Sequence, residues 1–195
     1  MRAAARRRGL YLQDQVKLDN WRLTAGIRRD WARDETRNNL TGTASESRDE
    51  KNTWRFGALY AFDSGLSPYF SYAQSFLPES GTDVSGNDFD PTEGEQFELG
   101  LKYQPAGSEA MLTAAIYQID ETNRKTTDIE NPLFQVQTGE VRTRGLELEA
   151  VGNVTDDLRM TASYNYNRSE ITADNDGNEG SDLANTPRHL ASLWL

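Results

Sequence analysis

Along most of this chain apolar and polar residues alternate one by one. That is the repeat of a β-strand with two unlike faces, not of a helix. Over residues 11–18, Leu12, Val16 and Leu18 fall on one side and Gln13, Gln15 and Lys17 on the other. Asp19-Asn20 is a tight-turn dipeptide. After it Trp21, Leu23, Ala25 and Ile27 share one face, and Arg22, Thr24, Gly26 and Arg28 the other. Trp54, Phe56, Ala58, Tyr60 and Phe62 mark a third strand, and Phe70, Tyr72 and Phe76 a fourth, interrupted at Gln74. A fifth sets Phe97, Leu99, Leu101 and Tyr103 against Glu98, Gly100 and Lys102. Residues 111–119 form a sixth whose facing the pattern leaves ambiguous. In the seventh, Leu146, Leu148 and Ala150 oppose Glu147 and Glu149. In the eighth, Leu158, Met160, Ala162, Tyr164 and Tyr166 oppose Arg159, Thr161, Ser163 and Asn165. A ninth strand begins at His189.

The connections alternate in length. Residues 19–20, 63–67, 105–109 and 152–157 are short turns; residues 31–51, 77–94, 121–134 and 170–186 are long loops. Short turns at one end and long loops at the other describe an outer-membrane barrel, in which tilted strands of roughly ten residues cross the bilayer. The expected fold class is therefore all-β: an antiparallel transmembrane β-barrel, here about nine strands of a larger one. The row from Trp54 to Phe62 is expected to face lipid. Aromatics at the ends of the apolar rows fit the two interfacial girdles: Trp54 and Phe62 bracket Ala58, and Phe97 and Tyr103 bracket Leu99 and Leu101. A spacing of roughly 45 residues is also that of a propeller blade, but a blade packs four short strands into that span. A soluble sandwich wants shorter strands and short connections at both ends.

Composition adjusts this picture. The 195 residues carry a formal charge of -10, which argues against a nucleic-acid partner. There is no cysteine, hence no disulfide framework and no thiolate site. No apolar run reaches about 18 residues, so a transmembrane helix is not expected; a barrel hides its apolar face in alternation. Arg2, Arg6, Arg7 and Arg8 make residues 1–8 a basic leader, but no apolar stretch follows to complete an export signal.

At the level of blocks the sequence resembles the barrel of TonB-dependent siderophore receptors of the ferrichrome type. The matching blocks are GLYLQDQ at residues 9–15, AGIRRD at 25–30, SPYFSYAQSF at 67–76, EQFELGLKY at 95–103, GEVRTRGLELE at 139–149 and PRH at 187–189. The resemblance runs over residues 9–195 and leaves 1–8 as a leader outside the family. It implies an outer-membrane barrel of about 22 strands, an N-terminal plug, a TonB box and a signal peptide. It also implies uptake of a ferric siderophore, hydroxamate rather than catecholate, driven by the TonB complex acting through the plug. Plug, box and final strand are not found in this sequence, so we expect an incomplete receptor barrel without transport activity of its own. A passive porin and a soluble carbohydrate-binding β-protein are the alternatives. Outer-membrane lipid and lipopolysaccharide are the expected surroundings.

Candidate chemistry is sparse, and no enzyme activity or cofactor is expected. The run Asp174-Asn175-Asp176-Gly177-Asn178 hints at a calcium loop, but an EF-hand needs glycine at its sixth position and a carboxylate at its twelfth; Glu179 and Asn185 stand there. One histidine, His189, cannot build a histidine-rich metal site. Glu147 and Glu149 point to one side of a strand and read as lumen polar groups, in contact with a plug or with Arg142 and Arg144. The acidic loops 77–94 and 170–186 suggest either solvation or bridging of lipopolysaccharide phosphates through divalent cations. The resemblance implies a ligand pocket of aromatic and polar side chains at the extracellular strand ends. Trp31, Phe76 and Phe89 are its candidates, each expected in or beside a long loop.

Overall fold

The computed structural model describes residues 2–37, 44–155 and 157–195. Nine strands form one antiparallel sheet in sequence order, each hydrogen-bonded to the next. They are β1 (Arg2–Leu18), β2 (Trp21–Arg37), β3 (Ala44–Tyr60), β4 (Leu66–Leu77), β5 (Thr92–Tyr103), β6 (Met111–Thr127), β7 (Gln135–Thr155), β8 (Leu158–Ala173) and β9 (His189–Trp194). Among the described residues no helix is long and apolar enough to cross a membrane.

The turn at Asp19-Asn20 is as expected. Asp19 takes a left-handed φ of 48°, which Asp tolerates better than most residues, and Leu18↔Trp21 closes the hairpin. The other end of the sheet differs from expectation. The loop read over residues 31–51 is mostly hairpin: β2 and β3 stay paired from Trp21↔Tyr60 to Arg37↔Ala44, and the expected tip, residues 38–43, lies outside the described residues. Likewise β6 continues to Thr127, leaving 128–134 as its loop. Polarity misleads here because antiparallel hydrogen bonds do not depend on side-chain hydropathy. Above the membrane both faces of a strand meet water, so the alternation vanishes while the ladder persists. Strands of 17 residues such as β1 reach about 55 Å, well past the span a bilayer needs. β1 also starts at Arg2, and its basic run pairs with the top of β2, Arg2↔Arg37 to Arg8↔Trp31. No break in the strand sets residues 2–8 apart.

Register settles the facing of β6. Leu112, Ala114 and Ile116 stand beside Tyr103, Leu101 and Leu99 of β5, and beside Ala150, Leu148 and Leu146 of β7. They belong to the apolar face, and Thr113, Ala115 and Tyr117 to the other. One seam is short. β3 and β4 pair only from Arg55↔Ala73 to Leu59↔Tyr69, whereas β4 and β5 pair along their whole length.

Candidate functional site

Among the described residues nothing is packed on the apolar face. Ile116 is 57% exposed and Leu99 56%, in the row Val16-Leu23-Ala58-Phe70-Leu99-Ile116-Leu146-Tyr166 that the registers define. An apolar surface of this extent needs a non-aqueous neighbour. Rings bound it on both sides. Above it Trp54, Phe56, Tyr72 and Phe97 form a ladder with centroid separations of 6.5, 6.3 and 4.9 Å. Below it Trp21, Tyr60 and Phe62 meet at 5.0 and 4.7 Å. Two aromatic rows around an aliphatic band are the girdles of a membrane barrel. The expected facing of Trp54, Phe56 and Phe62 agrees with their exposure, although Phe62 sits just past the end of β3.

The opposite face is polar and smooth. Tyr69 lies over Gly100, and Tyr117 over Gly145, each where a glycine Cβ would stand. The Tyr69 hydroxyl donates to Glu98 at 2.7 Å and that of Tyr117 to Asn165 at 3.2 Å; the Lys102 ammonium stands 5.3 Å from the Tyr69 ring centre. Higher up, Arg28 donates twice to Asp30, both at 2.6 Å, across Gly9, and Arg55 lies over Gly26. This is the lumen side, and Glu147 is on it, beside Asn165 and Ala115. The expected partnership of Glu147 with Arg142 or Arg144 is corrected. Both arginines are an even step from Leu146 and emerge on the lipid side, where Arg142 bonds Asp120 at 2.5 Å and Arg144 bonds Gln118 at 2.8 Å.

The three ligand candidates are not one cluster. Trp31 stands within β2, not in a loop, on the face of Ile27 and therefore of the lipid-facing band. Arg29 lies 5.4 Å over its ring, and Arg6, Arg8, Arg33 and Arg48 line with it a cavity of about 490 Å³. Phe76 is at the end of β4, also by alternation on the side of Phe70 and Tyr72. Trp31 and Phe76 do line a common cavity of about 350 Å³ where β3 and β4 separate. Phe89 is apart from both. It is 6% exposed, with the Lys125 ammonium 5.2 Å from its ring centre, and it anchors loop 78–91. That loop is tied down throughout. Lys125 bonds Glu79 at 2.7 Å and the Ser80 carbonyl at 3.1 Å. Asp90 N–H donates to Gln137 at 2.7 Å, and the Gln137 amide donates to the Asn123 carbonyl at 2.9 Å. Within the loop, Asp83 accepts from Asn87 and Ser85, which holds its carboxyl below the usual range. Burial pushes the Asp49 carboxyl up, helped by the charges of Asp34, Asp88 and Asp90. Arg28 is on the polar row expected from the sequence, whereas Tyr11, Tyr69 and Tyr117 were not singled out there. The signal for Tyr69 and Tyr117 is a large polar group in the polar row directly opposite a glycine, Gly100 and Gly145.

A sheet with a bare apolar band, two aromatic girdles and a polar inner face is a wall of an outer-membrane β-barrel. Over residues 2–195 the chain matches the family model described as "TonB dependent receptor-like, beta-barrel", and it belongs to that family. It is 41% identical over 186 residues to the "Ferrichrome outer membrane transporter/phage receptor" of Escherichia coli K12, covering 95% of this chain and 25% of that protein. It is 38% identical to the "Ferrioxamine receptor" of Yersinia enterocolitica, covering 95% and 26%. Among solved structures, the siderophore receptor PiuA of Acinetobacter baumannii superposes with a TM-score of 0.82 at 25% identity, covering 98% of this chain and 31% of that one. The chain thus spans about a quarter of the length of the curated relatives it matches. Its place is the outer membrane.

Proposed function

We propose that this chain supplies part of the barrel wall of a receptor that imports ferric siderophores, of the hydroxamate kind, with energy delivered by TonB through a plug. The observation that carries the reading is the 41% and 38% identity to ferrichrome and ferrioxamine receptors along nearly the whole chain. The geometry narrows the roles. The lumen face offers rings and fixed polar groups, Tyr11 and Arg28 in the extracellular half and Tyr69 and Tyr117 below, which suit the partly apolar shell of a chelate and the polar surface of a plug. Phe76, by alternation on the lipid side, borders the cavity where β3 and β4 part. Phe89 acts by holding loop 78–91 in place.

Trp31 is assigned instead to the membrane boundary. With Arg8, and with Arg29, Arg33 and Arg48, which are paired with Glu50, Glu35 and Glu46, it stands above the girdle on the lipid side. The test is growth of a strain lacking its own siderophore receptors and carrying the full gene product, with single chelates as iron source. Growth on ferrichrome or ferrioxamine that disappears when TonB is deleted is the expected result. Uptake independent of TonB, or of sugars only, rejects the reading in favour of a porin.

A further inference from the structure

The short seam between β3 and β4 divides the sheet into two firmly paired blocks. β1, β2 and β3 pair along their full length. On the other side β4 to β8 pair in long ladders with bulges in the β6–β7 and β7–β8 seams, and loop 78–91 is tied to β6 and β7 by Lys125, Asn123 and Gln137. Between the blocks the ladder stops at Arg55↔Ala73. Above that point residues 44–54 of β3 have no ladder partner in β4, and a cavity of about 350 Å³ lined by Thr53, Gln74, Ser75 and Phe76 fills the fork. Among the described residues one side-chain bond crosses it, the partly buried ion pair of Lys51 with Glu93.

We propose that this fork is a flap in the extracellular wall, latched by the single ion pair Lys51–Glu93. The reasons are mechanical. Backbone ladders resist separation by many bonds acting together, whereas a single ion pair near a surface holds by about 1 kcal/mol. The upper part of β1–β3 can therefore swing from β4–β5 about the last paired rung, while the seams within each block stay shut. The inference goes beyond siderophore uptake and needs no ligand.

The test uses the full gene product in outer membranes, spin-labelled at Asn52→Cys in β3 and Thr122→Cys in β6, with distances read by double electron–electron resonance. Heat-modifiable gel mobility checks that each variant is folded. The unmodified latch should give a narrow distribution. Lys51→Gln should broaden it and lengthen its mean by about one inter-strand spacing, roughly 5 Å. The reversed pair Lys51→Glu with Glu93→Lys should restore the narrow distribution. An unchanged distribution in Lys51→Gln, or a reversed pair as open as the single variant, overturns the flap.

Discussion

The two faces of this sheet are built from the same strands, one residue apart, yet they are held by different physics. The lipid face is large and apolar, and its order comes from rings and aliphatic side chains touching across strands: Trp54 to Phe97 above, Trp21 to Phe62 below. Its stability depends on what surrounds it, because among the described residues Leu99 and Ile116 have no partner layer. The lumen face is flat and polar. Tyrosines lie down over glycines and their hydroxyls end on Glu98 and Asn165. One face is tolerant of shape and intolerant of charge; the other accepts charge and punishes bulk in the wrong place.

The largest expected effect tests that contrast directly. Ile116→Arg puts a cation in the middle of the apolar band and should destabilise the folded barrel by about 2–4 kcal/mol. Thr113→Arg, three residues away on the lumen face, should cost about 1 kcal/mol or less. Urea titration of the full gene product folded into lipid vesicles measures both, and equal losses would remove the distinction between the faces. Bulk comes next. Gly100→Val drives a side chain into the Tyr69 ring and should cost about 1–3 kcal/mol, with most of it recovered when Tyr69→Ser is added. The double variant in the same titration checks whether the ring is the obstacle.

Above the membrane the contrast fades, and smaller effects are expected. Gln137→Ala removes the amide that holds Asp90 and Asn123. It should loosen loop 78–91 by about 1–2 kcal/mol locally, seen as faster proteolysis within the loop and an unchanged global midpoint. The smallest effect is that of pH on Asp49. Its folded pKa lies above the ordinary value of 3.8 because of burial and the charges of Asp34, Asp88 and Asp90. The proton is therefore held more tightly in the folded state, and the group favours that state at low pH. Its contribution is full below the ordinary value and is lost as pH rises through the raised one. Asp49→Asn should flatten this part of the pH profile of hydrogen exchange in upper β3.

What alternation could determine on its own was where strands cross the membrane and which side faces lipid. A one-residue shift would carry Trp54, Phe56 and Ala58 into the lumen and Arg55 into lipid, so the burial physics admits a single answer. Asp19-Asn20 was legible for a similar reason: few dipeptides accept a left-handed φ in a two-residue turn. Where both faces meet water that constraint lapses. The sequence then reads as loop, and only the tertiary ladder shows that β2 and β3 continue to Arg37 and Ala44. Residues 111–119 carried apolar groups on both sides, and it took the neighbouring strands to orient them. The same holds for the ligand candidates. Trp31 was chosen for its aromatic ring and its expected loop; the strand it belongs to turns that ring outward. Phe89 is buried by a loop fold that Lys125, Asn123 and Gln137 create from strands more than 30 residues away. Long-range side-chain bonds of this sort leave no period in a sequence, because each depends on which strands the sheet has already brought together.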